Sequence, residues 1–194
     1  MTNPSLQHLF FIIIGPSGSG KTKVAEAVFP KDYKVISHTT RPKRLGEQEG
    51  VDYYFETQEQ FQNLIQSNAL AEYDTYNGQK YGVGIDELLR KTTKHCAYDV
   101  LTFQGFEAIE KLFKPMVVPI FLDVSKENVM TRLQERGDLP EVIKERSALY
   151  DQEIKNKEKI IHYPQHFIID ANQPFDCVVK SLAHIVEECI KKHD

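Results

Sequence analysis

The residues with the clearest chemical signature are Gly15-Pro16-Ser17-Gly18-Ser19-Gly20-Lys21-Thr22. A glycine, four residues and then Gly-Lys-Thr fits the spacing rule of a phosphate-binding loop, in which small residues leave successive backbone N–H groups free to ring an anion. Lys21 has the reach to meet the outer phosphates of a nucleotide. Thr22 brings a hydroxyl for magnesium, and the helix that must follow points its positive dipole end at the same anion. The rule also requires a buried strand before the loop, and the six apolar residues from Leu9 to Ile14 supply one. Val24, Ala25, Ala27 and Val28 carry the helix after it, and Pro30 stops that helix.

A second stretch carries charge in a pattern suited to an anion. Arg41, Lys43 and Arg44 put three cations within four residues, and Pro42 disfavours a helical conformation at Arg41, which keeps that residue extended. Alone, such a cluster reads as a solvated surface loop. It continues into Gly50-Val51-Asp52-Tyr53-Tyr54-Phe55, which adds aromatic groups and phenol donors.

The elements that must position these residues follow from pattern. A short strand is expected over 33–37, and Thr57-x-x-Gln60 forms a capping box for a helix with Phe61, Leu64 and Ile65 on one face. Ala71 to Tyr76 reads as a strand, turned by Asn77-Gly78 into a returning strand through Val83. A short helix bearing Ile85, Leu88 and Leu89 follows. Then come a strand over 95–103, a helix from Gly105 to Phe113 and a buried strand from Val117 to Asp123. Ser125 caps the next helix, 166–169 gives a last strand, and an apolar face from Phe175 to Ile190 marks a C-terminal helix. Strands alternating with helices argue for a parallel sheet covered on both faces. The charge-dense region 132–159 reads either as a solvated helical pair or as a lid.

Composition narrows the function classes. The 24 basic and 28 acidic residues leave a net charge of −4, without the broad cationic field of a nucleic-acid binder, so any anion must be held locally. Three cysteines, Cys96, Cys177 and Cys189, form no Cys-x-x-Cys pair and suggest neither a disulfide framework nor a zinc site. The first apolar run has no basic flank and breaks at Gly15-Pro16, so neither a signal peptide nor a membrane span is expected, and the protein is expected to be cytoplasmic.

Several motifs together resemble the guanylate kinase family of nucleoside monophosphate kinases over nearly the whole chain. They are the loop at 15–22, Ser37-His38-Thr39-Thr40-Arg41, Gly46-Glu47, Gly50 to Phe55, Glu72, Tyr81-Gly82, Gln104-Gly105, Arg132-Leu133-x-x-Arg136-Gly137 and Arg146. The resemblance implies an α/β fold of the P-loop NTPase type with a parallel five-stranded core over 1–36, 91–125 and 159–194. It further implies a monophosphate-binding insertion at 37–90 and a lid at 126–158. ATP with Mg²⁺ would be the phosphoryl donor, held by residues 15–22 with Thr22 as the metal's protein ligand. Lys21, Arg136 and Arg146 would be catalytic, with Arg132 either joining them or standing as a surface helix residue. Arg41, Arg44, Tyr53 and Tyr81 would hold the acceptor phosphate, while Ser37, Glu72 and Thr102 would face the base.

That makes GMP or dGMP the implied acceptor, turned over by a monomer or small homo-oligomer with no nucleic-acid or membrane partner. Two other readings are a kinase of the same branch with another phosphorylated acceptor and a non-catalytic guanylate-kinase-like binding module, against which intact Gly20-Lys21-Thr22 argues. The chain departs from the family pattern at Val100 and Thr102, where two strand aspartates are usual. Val83 replaces a small hydroxyl residue, and Pro42-Lys43 changes the order within the basic loop. Asp99 stands in for Val100 only if a bulge turns it to the other strand face.

Overall fold

The computed structural model describes residues 5–76 and 78–193. Its chain divides into two compact units. One takes the chain up to Phe10 with Asp32–Ala97 and Gln104–Val117; the other takes Phe11–Lys31, Tyr98–Phe103 and the chain from Val118 onward.

The second unit is built on a sheet of order β6-β1-β7-β8. Strand β1 (Phe10–Ile14) consists of five apolar residues, all buried, and hands over through the glycine-rich loop to helix α1 (Lys21–Val28). A run buried on both faces needs no alternation, which is why the sequence shows none. Strand β6 (Ala97–Val100) lies alongside β1, with Leu101 N–H bonded to Ile13 O at 3.3 Å, and β7 (Val117–Asp123) pairs in parallel with β8 (Phe167–Asp170). Helices α5 (Lys126–Glu135), α6 (Pro140–Glu153) and α7 (Asn156–Ile160) fill the charged region, and α8 (Phe175–His193) closes the chain with Val178, Leu182, Val186 and Cys189 buried.

The first unit carries a smaller sheet of order β3-β2-β5-β4. Its strands are β2 (His38–Thr39), β3 (Tyr54–Phe55), β4 (Leu70–Tyr76) and β5 (Gln79–Gly84), with α2 (Gln58–Gln66), α3 (Ile85–Lys91) and most of α4 (Phe103–Phe113). The capping box of α2 is made in both directions: Gln60 N–H donates to Thr57 Oγ1 at 3.1 Å and Thr57 N–H to Gln60 Oε1 at 2.7 Å. Ser125 likewise caps α5, accepting from Asn128 N–H at 3.2 Å. Of the expected Asn77-Gly78 turn, Asn77 lies outside the described residues, while Gly78 has the positive φ of 71° that such a turn asks of glycine.

Three expectations are corrected. The main sheet has four strands among the described residues rather than five, because 33–37 is not a strand. Lys31–Tyr33 forms a 3₁₀ turn whose Tyr33 ring stacks on His95 at 3.7 Å, and only Val35 of the segment is fully buried. The strand expected over 95–103 is confined to Ala97–Val100. Helix α4 starts at Phe103 rather than Gly105, since Phe103, Phe106, Ile109 and Phe113 form one buried stripe at helical spacing. Thr102 therefore precedes a helix instead of ending a strand.

Candidate active site

Within the second unit, the loop after β1 is shaped by glycines at positive φ. Gly15 (φ 150°) admits no side chain, because a Cβ there would stand 2.7 Å from the backbone oxygen of Leu122. Gly20 (φ 92°) caps α1 without a side-chain bond, so the amides of Lys21 and Thr22 open the helix with no intrahelical acceptor. Lys21 turns back over the loop and donates to Gly15 O at 2.7 Å and Pro16 O at 2.9 Å. Burial lowers its pKa to about 8; the Glu153 carboxylate counters that and the Arg146 guanidinium adds to it.

The helices of the charged region bring three arginines to this loop. Arg132 on α5 donates to Ser19 O at 3.0 Å and to Ala171 O at 2.6 Å, which makes it a brace between two backbone segments. Arg146 on α6 donates to Ser17 Oγ, and its Nε lies 3.8 Å from Asp138, buried and without a hydrogen-bond partner among the described residues. Arg136 forks onto the same Asp138, with Nε donating at 2.6 Å, and holds that carboxyl below its ordinary range. A cavity of about 720 Å³ lies over the loop, walled by Ser17 to Val24, Arg132, Arg136, Arg146 and Phe175. That is within the usual size for a nucleotide-sized ligand. Thr22 is exposed in the first turn of α1.

The first unit gathers the basic and aromatic residues. Arg41 forks onto Glu47, with Nη1 donating to Oε2 at 3.0 Å and Nη2 to Oε1 at 2.7 Å, and its guanidinium lies 5.4 Å from the Tyr53 ring centre and 5.8 Å from that of Phe55. Arg41 holds the Glu47 carboxyl down at about 2, helped by the Arg44 backbone N–H, which donates to Oε2 at 2.7 Å. The Tyr53 and Tyr81 rings meet edge to face at 6.1 Å, and Tyr81 also interacts with Arg41. Arg41, Tyr53 and Tyr81 are thus brought together, whereas Arg44 sits on an exposed turn beside fully exposed Leu45.

Glu72 and Val83 are cross-strand partners on β4 and β5, as are Asp74 and Tyr81, so these four residues share one face of the hairpin. Glu72, Tyr73 and Asp74 line a second cavity of about 330 Å³ with Gln104, Gly105 and Ala108. Val83 is fully buried and packs as core. Ser37 lies just before β2, its carbonyl accepting from Tyr54 N–H at 3.0 Å. Thr102 belongs to the other unit, between β6 and α4. Asp99 is buried within β6, one Oδ accepting the Val100 N–H at 2.8 Å.

Two residues here escaped the sequence reading. Glu47 was readable only as part of a motif, yet it anchors Arg41. Glu153 accepts from the Ser17 N–H at 2.8 Å, and its one signal in the sequence is its place seven residues after Arg146, on the same helix face.

The family model described as guanylate kinase matches residues 7–189. Guanylate kinase of Coxiella burnetii is 37% identical over 183 residues, covering 91% of this chain and 85% of that protein. Guanylate kinase of Shewanella frigidimarina is 35% identical over 184 residues, with the same two coverages. Among solved structures, guanylate kinase from Anaplasma phagocytophilum superposes with a TM-score of 0.66 over 96% of this chain and 88% of that one; at 24% identity this speaks for the fold.

Proposed function

The chain belongs to the guanylate kinase family, and on that premise we propose that it transfers the γ-phosphoryl group of ATP to GMP or dGMP, giving GDP or dGDP and ADP. One observation carries the donor side of this reading: the cavity over the Gly15–Thr22 loop is walled by backbone amides, Lys21 and arginines from α5 and α6, the donors that a polyphosphate requires. No covalent intermediate is needed. Positioning and charge neutralisation supply the catalysis, with the attacking phosphate oxygen brought to about 3–3.5 Å from the γ-phosphorus.

In this reading the loop amides and Lys21 hold the β- and γ-phosphates. Arg136 and Arg146 neutralise charge that develops on the transferring group, the buried Nε of Arg146 being a donor in reserve. The Thr22 hydroxyl would hold the magnesium ion that accompanies ATP, which would supply neutralisation of phosphate charge. The acceptor phosphate would be met by Arg41, Arg44, Tyr53 and Tyr81. Glu72 would accept from the N–H donors of the guanine Watson–Crick edge, where adenine presents an acceptor and is repelled; Ser37 and Thr102 would complete the base site. The insertion at 37–90 and the lid at 126–158 are part of this proposal, as are a cytoplasmic location and a monomeric or small homo-oligomeric state. No helix among the described residues is long and apolar enough to cross a membrane.

A coupled assay of ADP release with ATP and magnesium tests the reading across GMP, dGMP, AMP, CMP and UMP. Turnover with GMP or dGMP should exceed that with the other three. AMP turning over faster than GMP would reject the acceptor assignment.

A further inference from the structure

Ser17 is gripped at two points from one helix. Its backbone N–H donates to Glu153 Oε2 at 2.8 Å, and its hydroxyl accepts from Arg146. Arg146, Tyr150 and Glu153 stand at i, i+4 and i+7 of α6 and so lie on one face. Between the two gripping residues, the Tyr150 hydroxyl donates to Val124 O at 2.6 Å, which seats the middle of α6 independently of the loop. The carboxylate does not occupy the whole phosphate cradle. Ser19 N–H turns back onto Pro16 O at 3.1 Å, while the amides that open α1 belong to Gly20, Lys21 and Thr22, three to five residues beyond Ser17.

We propose that Glu153 is a positioning residue for phosphoryl transfer: by holding the Ser17 N–H it fixes α6 against the loop and so sets the guanidinium of Arg146 at the transferring group. The inference rests on the reading of Arg146 as the cation that neutralises that group. Glu153 touches no reacting atom. Its charge also faces Lys21, and a carboxylate there offsets two cations crowded into one half-buried site. Without it, α6 keeps its Tyr150 anchor, but the Ser17 backbone loses the bond that fixes it, so the hydroxyl against which Arg146 is set shifts with it, and a small displacement of a catalytic donor costs far more in rate than in binding.

The test is a double-mutant cycle on the full chain, with Glu153→Ala, Arg146→Ala and both together, measuring kcat, KM for ATP and the thermal midpoint. Measured at about pH 6.5, where Lys21 stays charged without the carboxylate, Glu153→Ala should lower kcat by about tenfold with KM for ATP changed less than about twofold, because one orientation is lost and the cradle is kept. The double variant should be no slower than Arg146→Ala alone, since Glu153 acts through Arg146. Glu153→Gln keeps an acceptor oxygen for the Ser17 N–H and should hold kcat within about twofold of the parent. Should Glu153→Ala fail to fold, Glu153→Asp, one methylene too short to reach, takes its place in the cycle.

Additive losses in the double variant overturn the inference, because Glu153 then acts apart from Arg146. A lowered KM for ATP in Glu153→Ala also overturns it, since the carboxylate would then compete with phosphate. An Arg146→Ala variant with unchanged kcat removes the reading of Arg146 on which the inference stands, a result distinct from either of the others.

Discussion

Lys21 gives the donor site a basic limit that can be worked from its surroundings. Its ammonium is drawn into the loop, where burial lowers the pKa from 10.5 to about 8 against the pull of Glu153. In the proposed donor site the nucleotide-binding form is the charged one, so raising the pH through 8 would remove the cation assigned to the phosphates. The charged fraction falls from roughly three-quarters at pH 7.5 to about 3% at pH 9.5, which weakens ATP binding by up to about 25-fold. Isothermal titration of ATP between pH 7.5 and 9.5 reads this directly. At pH 9 the same experiment in two buffers of different ionisation enthalpy should show uptake of about one proton per ATP, as the phosphates restore the charge.

Stability itself is a poor reporter of that titration. Between about 8 and 10.5 the unfolded chain binds the Lys21 proton that the folded chain has lost, so this group makes stability rise with pH. Cys96 works the other way: burial pushes its thiol up to about 11 from 9.0, so over that interval the folded chain keeps a proton that the unfolded chain loses. An ATP dissociation constant that stays within twofold from pH 7.5 to 9.5, with circular dichroism unchanged, would refute the reasoning about Lys21.

Arg41→Ala should raise KM for GMP by at least tenfold while changing KM for ATP less than about twofold, as steady-state kinetics with each substrate varied will show. Equal losses for guanosine and GMP in binding titrations would mean that Arg41 does not serve the phosphate. Thr102→Asp should improve kcat/KM for GMP by about tenfold or less and leave AMP unimproved, because a carboxylate accepts a guanine N–H more strongly than a hydroxyl does; a fall in GMP turnover with folding intact would point to another acceptor. Gly15→Ala should cost about 2–4 kcal/mol in chemical denaturation, since its Cβ would press to 2.7 Å from a backbone oxygen that has no room to yield.

The glycine-rich loop was legible in the sequence because its motif fixes backbone shape, side-chain reach and flanking elements together. Gly15, Gly20, Lys21 and Thr22 leave little for tertiary context to decide. Legibility failed where local propensity competes with packing. Residues 33–37 looked like a strand until Tyr33 was committed to a stack with His95, and Phe103 drew the start of α4 forward past the place where Gly105 suggested it. Thr102, placed on a strand by the resemblance, stands outside one, in a link that periodicity does not describe. Glu153 shows the deeper limit. Its contact with Ser17 spans 136 positions, and only its place on the Arg146 face sets it apart from the other acids of a charged helix.

The approach of Gly15 to the Leu122 carbonyl bears on how the protein fails under stress. Gly15 follows the fully buried β1 and Leu122 lies in the buried part of β7, so the base of the loop cannot open without disturbing the central sheet. Its amides should exchange with solvent only through openings close to the global unfolding free energy. The turn around Leu45 is held by the Arg41–Glu47 fork and the Arg44 N–H bond to Glu47 rather than by a buried strand, and opens at lower cost. Heating should therefore erode acceptor affinity first and gradually, while nucleotide-donor binding persists until the fold is lost cooperatively.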